Sequence, residues 1–148
     1  MHFTTLYIMT NEELDNVSKT IIENDFGERF CYCCGETKPR YEYWCDWFQI
    51  GGRWCDLLKA KRGYVGERSW ANEKDKQNKN SYSVVEIKDL TAPLPRSNIY
   101  AVATKSRIYT KDNIWQNGEA NPTKFKRLLD KIDNKQIKGV IALIDCHD

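Results

Sequence analysis

At 148 residues the chain suits one domain whose core holds without disulfide staples. Its 23 basic and 21 acidic side chains leave a net charge of +2, which excludes an acidic nucleic-acid mimic and a strongly basic, non-specific nucleic-acid binder. Apolar runs such as Val140 to Ile144 are far too short to span a membrane, and Met1 to Thr5 lacks the basic-then-apolar order of an export signal. A cytoplasmic protein with reduced cysteines is therefore expected.

Phe3 to Met9, rich in Thr, Tyr and Ile, predicts a strand. Thr10 with Glu13 forms a capping box, and Leu14, Val17 and Ile21 follow at helical spacing, so a helix is expected from Asn11 to near Glu23. Between Cys31 and Cys55 come five of the six cysteines and three of the five tryptophans. This segment predicts a loop leading into a strand over Asp46 to Trp54. There Phe48, Ile50 and Trp54 would share one face, and Trp47, Gln49 and Arg53 the other. Gly51-Gly52 weakens such a strand and suggests a bulge or the close approach of a ligand or another backbone.

From Lys59 to Lys79 there are seven basic and three acidic residues. Residues of about 59–80 are expected to form a flexible polar insertion within the single domain of residues 1–148, with a phosphate-binding arm as the alternative. Tyr82 to Leu90 suits an extra edge strand that ends before Pro93 and Pro95. Ile99 to Thr104 predicts a strand, continued by a hairpin into Arg107 to Thr110. Asn121 then caps a helix with Pro122 at its first position, and Phe125, Leu128, Leu129 and Ile132 give it one apolar face. The run Val140 to Ile144 predicts a buried strand.

The order strand, helix, strand, strand, helix, strand predicts an α+β fold of the ferredoxin-like split βαβ type (β-α-β-β-α-β). That layout is an antiparallel sheet with both helices on one face and, here, an insertion between the second and third main strands. A different α+β sandwich with a second sheet is the alternative. In the split layout Cys31, Cys33, Cys34, Cys45, Asp46, Cys146 and His147 converge with His2 on one end of the sheet, and Cys55 goes to the other.

Thiolate and imidazole donors brought together suit zinc, so Cys31, Cys34, Cys45 and His147 are a candidate metal set. Their spacing is not that of paired Cys-x-x-Cys knuckles, and reduced, buried cysteines are the plainer expectation. His2 opposite Cys146 is a further candidate pair for thiol chemistry, although no thiol-enzyme signature accompanies it. The Gly-Gly-Arg-Trp end of the aromatic strand has a binding character. Arg53 offers a planar fork for phosphate or carboxylate, and Trp47 and Trp54 offer stacking surfaces. Tyr43, Trp44, Lys59, Lys61 and Arg62 would extend that surface.

The run Asp46-Trp47-Phe48-Gln49-Ile50-Gly51-Gly52-Arg53-Trp54, the stretch Tyr100 to Thr104 and the closing Ile144-Asp145-Cys146-His147 together resemble a group of small bacteriophage and bacterial proteins. That group has no assigned activity. It carries an Asp-aromatic-aromatic-x-Ile-Gly-Gly-Arg-Trp segment, a Tyr-Ala-Val-x-Thr strand and a terminal Asp-Cys-His. The resemblance implies that Arg53, Trp54, Asp145, Cys146 and His147 are the positions to test first. It also implies a phage-type, anti-CRISPR-like counter-defence role. The expected function is stoichiometric binding to a host protein or a nucleotide-like ligand, as inhibitor or sponge. The alternatives are a metal-assisted or acid–base hydrolase on a nucleotide substrate, using Asp46, Asp145 and His147, and a structural zinc module.

Overall fold

In a computed structural model, residues 2–10, 28–30, 37–39, 47–68, 80–104, 108–111 and 119–147 are described. The strongest pairing joins the two ends of the chain. Strand β1 (His2–Thr10) runs antiparallel to the last strand, Gly139–His147, from His2↔His147 to Thr10↔Gly139. Between them the chain forms β2 (Glu28–Phe30), β3 (Thr37–Pro39), β4 (Trp47–Gly52), β5 (Leu58–Lys59), β6 (Glu67–Arg68), β7 (Ser81–Tyr82) and β8 (Val84–Glu86). Then come β9 (Ala101–Ala103), β10 (Ile108–Thr110), β11 (Glu119–Ala120) and the helix α1 (Pro122–Asp133), and Gly139–His147 is β12.

Eight of these strands form one sheet in the order β11-β10-β9-β1-β12-β4-β6, with β8 also paired to β12. Strand β12 is long enough to hold two neighbours on one edge. Ile144 to His147 pair with β4, and Val140 to Ala142 pair with β8. The change of partner falls at Leu143, whose N–H donates to the carbonyl of Ser83 at 2.9 Å.

Both faces of the sheet are buried, which explains why Val140 to Ile144 is apolar without alternation. Phe3, Tyr7 and Met9 join Val140, Ala142, Ile144 and Cys146 on one face. Leu6 and Ile8 join Ile141 and Leu143 on the other, where α1 lays down Phe125, Leu128, Leu129 and Ile132. The start of α1 is as expected: Asn121 Oδ1 accepts from the Lys124 N–H at 2.9 Å and Pro122 is in the first turn. Its end is clipped by bonds from Lys135 N to Ile132 O and from Gln136 N to Lys131 O, with Lys135 at φ 55°.

Arg96 ties the loop before β9 to this helix end. It donates to Asp133 Oδ2 at 2.6 Å and to Asp130 Oδ1 at 2.7 Å, while Asp133 Oδ1 accepts from the Leu94 N–H. The hydrogen bond to Asp133, partly opposed by desolvation and joined by Asp130, raises the Arg96 pKa above its ordinary value.

The fold is α+β, as the order of elements predicts. Strand β1 lies between β9, to which it is parallel, and β12, to which it is antiparallel. The second main strand differs. Strand β4 pairs with β12 and not with β9, whose outer edge is taken by the β10 hairpin strand. The helix expected over Asn11 to Glu23 lies outside the described residues. Part of the expected flexible insertion is built into the fold: Ala60 is fully buried, and Tyr64 bridges to Val84.

Truncating the centre of the helix face, Leu129→Ala, is expected to cost about 2–5 kcal/mol. Removing the cap, Asn121→Ala, is expected to cost about 1 kcal/mol. Urea unfolding monitored by circular dichroism checks both values and their order.

Candidate functional site

Strand alternation places Thr4 and Asp145 on the face that carries Leu6 and Leu143, and the ladder sets them directly opposite each other. Asp145 is fully buried. A carboxylate removed from water needs donors at both oxygens. Here Oδ1 faces His2 Nδ1 at 2.8 Å, and Oδ2 accepts the backbone N–H of Arg53 at 2.9 Å. The His2 side chain retains 18% of its exposure. The hydroxyl of Thr4 is buried beside them and has no hydrogen-bond partner among the described residues.

The second donor depends on the double glycine. Extended chain would carry Arg53 four residues past Gln49, the β4 residue opposite Asp145, and away along the strand. Instead Gly51 at φ 90° and Gly52 at φ 56° reverse the chain, and the Trp54 N–H closes the turn on Gly51 O at 3.1 Å. The reversal folds the turn back onto the sheet until Gly52 touches Asp145. A Cβ at position 52 would lie 2.4 Å from both Cβ and Oδ2 of Asp145. Arg53 is thereby exposed at the tip of the turn, with Trp54 half-buried behind it.

A second clamp fixes the far side of the turn. The Asp56 N–H donates to Ser83 Oγ at 2.8 Å, and Asp56 Oδ1 accepts from the Gly66 N–H at 3.0 Å and from the Ser83 hydroxyl at 3.3 Å. Asp56 and Ser83 are both buried. Gly66 lies against Gly51, where a Cβ would meet the Gly51 Cα at 2.7 Å. The turn is therefore held at Asp145, at its own closing bond and at Ser83.

Several expectations are corrected by this geometry. Strand β4 ends at Gly52, so Arg53 and Trp54 belong to a turn, and Trp54 does not continue a strand face with Phe48 and Ile50. His2 pairs with Asp145 and not with Cys146. Cys146 lies on the opposite face, buried, with its Sγ 3.6 Å from Thr5 Oγ1. Arg62 is exposed, but it is engaged by Glu86 and Asp89, each at 3.1 Å. Lys59 and Lys61 are exposed, as a binding surface needs.

Other expectations fall elsewhere. Trp47 and His147 pair with each other across β4 and β12, and His147 stands opposite His2 in β1. Tyr43, Trp44, Asp46 and the candidate zinc ligands Cys31, Cys34 and Cys45 lie outside the described residues. Among the described residues, no three His, Cys, Asp or Glu side chains are grouped as metal ligands would be. Sequence reasoning missed the roles of His2 toward Asp145, of Thr4, and of the Asp56–Ser83 pair. The one local signal was Gly51-Gly52, which pointed to a close approach without naming Asp145 as the group approached. Comparison with protein-family models, with curated proteins and with solved structures finds no match.

Gly52→Ala is expected to destabilise the fold by about 3 kcal/mol or more, because it combines left-handed backbone strain with a collision against a buried carboxylate. Thermal unfolding of this variant beside Arg53→Ala, which retains the N–H to Asp145, separates the backbone requirement from any side-chain effect.

Proposed function

We propose that this chain is a small phage-type binding protein, an inhibitor or sponge in the host cytoplasm that occupies a host protein or a nucleotide-like ligand at fixed stoichiometry. One observation carries the proposal: an exposed Arg53 stands on a turn whose backbone is anchored at Asp145, Gly51 and Ser83. A guanidinium on such a support loses little freedom when it engages a phosphate or carboxylate, which is the advantage of preorganisation. Trp54 adds a half-buried aromatic surface beside it, and Lys59 and Lys61 follow in the chain as exposed cations. Trp47, Tyr43 and Trp44 complete the proposed surface.

A second reading is favoured by the His2–Asp145 contact. A histidine oriented by a buried carboxylate is the usual support for acid–base chemistry, and in this reading His2 takes the place that the sequence had offered to His147. Zinc held by Cys31, Cys34, Cys45 and His147 remains a proposal of its own, tested by the metal content of the purified protein. For the architecture, the proposal keeps from the ferredoxin-like split βαβ layout the trio β9-β1-β12 and a helix over Asn11 to Glu23 as first crossover, with β4 on the far side of β12.

Calorimetric titration with nucleoside mono- and diphosphates, and analysis of host proteins co-purifying at constant ratio, test the binding proposal. Arg53→Ala is expected to weaken binding by about 10- to 100-fold, the worth of one charge-assisted contact. Its melting temperature should stay within a degree or two of the wild type, since the side chain is exposed and the N–H is kept. If Arg53→Ala unfolds the domain, the residue is structural and the proposal loses its centre.

A further inference from the structure

Helix α1 carries four cations, Lys124, Lys126, Arg127 and Lys131, and two acids, Asp130 and Asp133. Asp130 follows Lys126 by four residues and Arg127 by three, the spacings at which an isolated helix forms ion pairs. In this fold the acids serve another partner. Arg96, from the loop before β9, takes Asp130 Oδ1 at 2.7 Å and Asp133 Oδ2 at 2.6 Å. Lys126 and Arg127 are exposed and have no ion pair among the described residues. They border a cleft of about 460 Å³ that is lined by Pro122, Thr123, Lys126, Arg127 and Asp130. None of these residues belongs to the Arg53 turn or to its anchor at Asp145.

We infer that this cleft binds the terminal phosphate of a small phosphorylated compound, held by Arg127, Lys126 and the Thr123 hydroxyl. A terminal phosphoryl group presents three oxygens, and the cleft presents a guanidinium fork, an ammonium and a hydroxyl to meet them. A carboxylate, with two oxygens, would leave a donor unused. The volume falls within the range of small-ligand sites, about 300–1,000 Å³. A net charge of only +2 argues against a long nucleic acid as the occupant. Arg53 takes no part in this site.

Arg96 has a distinct role here, because it does not line the cleft. A carboxylate at Asp130 without a partner would draw Lys126 and Arg127 to itself and repel an incoming anion. With Asp130 held by Arg96, the two cations are left to the ligand. Arg96 is thus a positioning residue for the site, acting through Asp130.

Phosphorus NMR titration of the full chain with inorganic pyrophosphate, at about 0.15 M salt, tests the assignment. The expected result is saturable binding that persists in Arg53→Ala at one pyrophosphate per chain. The cleft variants are made in that Arg53→Ala chain, so that no signal comes from the turn. Lys126→Gln and Arg127→Gln should each weaken binding by about 10-fold, the worth of one charge-assisted contact. Arg96→Gln should also weaken it, and Asp130→Asn added to Arg96→Gln should restore it. A merely structural role of Arg96 would not give that rescue. Binding that is lost in Arg53→Ala, or that is unchanged when Lys126→Gln and Arg127→Gln are combined, overturns the assignment. Sulfate held as tightly as pyrophosphate marks a patch of charge alone and overturns it too. A single-stranded oligonucleotide held more tightly than pyrophosphate overturns it in favour of a nucleic acid. Absence of any pyrophosphate binding to the cleft overturns this inference alone, and the Arg53 proposal is then decided by the nucleotide and host-protein titrations.

Discussion

A fully buried carboxylate is an expensive thing to place in the middle of a sheet, and Asp145 sets the terms for its surroundings. An ionised oxygen without a donor in that position would cost several kcal/mol. The first and last strands must therefore stay in a register that puts His2 diagonal to Asp145, and the chain after β4 must bring a backbone N–H onto the same face. Both donors come from far away in sequence, at separations of 143 and 92 residues. Asp145 is thus a point through which the N-terminus, the turn and the C-terminal strand are held together.

The double glycine is the backbone counterpart of that demand. Only residues without a Cβ can take left-handed backbone and still touch a side chain as closely as Gly52 touches Asp145. When β4 leaves the sheet at Gly52, the neighbouring edge of β12 would be left with unpaired backbone groups. Strand β8 takes over that edge from Val140 to Ala142, and Ser83 bridges the gap by accepting from Leu143 and by bonding Asp56. The departure of one strand, the arrival of another and the clamp between them are one arrangement, and it leaves Arg53 displayed on a backbone fixed from three sides.

Strand β4 with the turn that follows it, Trp47 to Trp54, and the end of β12, Ile144 to His147, meet in space. Asp145 of the second accepts from Arg53 of the first. Their meeting has a structural reason that holds whatever the function: Asp145 takes one donor from the turn backbone and one from His2. The binding reading and the acid–base reading share Asp145 as anchor and differ in whether His2 only braces it or also moves a proton.

Much of the scaffold was legible in local patterns. The strand over Phe3 to Met9, the capped helix after Asn121 and the apolar run after Gly139 each depend on spacing and side-chain type within one segment, which is what a sequence displays. Partner choice was not legible. Nothing in Trp47 to Gly52 says that it lies beside β12 and not beside β9, because the pattern of one strand does not specify which edge it joins. The strand forecast through Trp54 failed because glycine permits a reversal without requiring one, and the reversal became favourable only once a buried carboxylate stood within reach of the Arg53 N–H. By itself the sequence determined the α+β class, the helix with its cap and the buried last strand, because hydrophobic period and capping act over a few residues. Only the tertiary structure decided that His2, Arg53 and Asp145 form one site, because the free energy that joins them arises when a charge is taken out of water and distant parts of the chain must supply its donors.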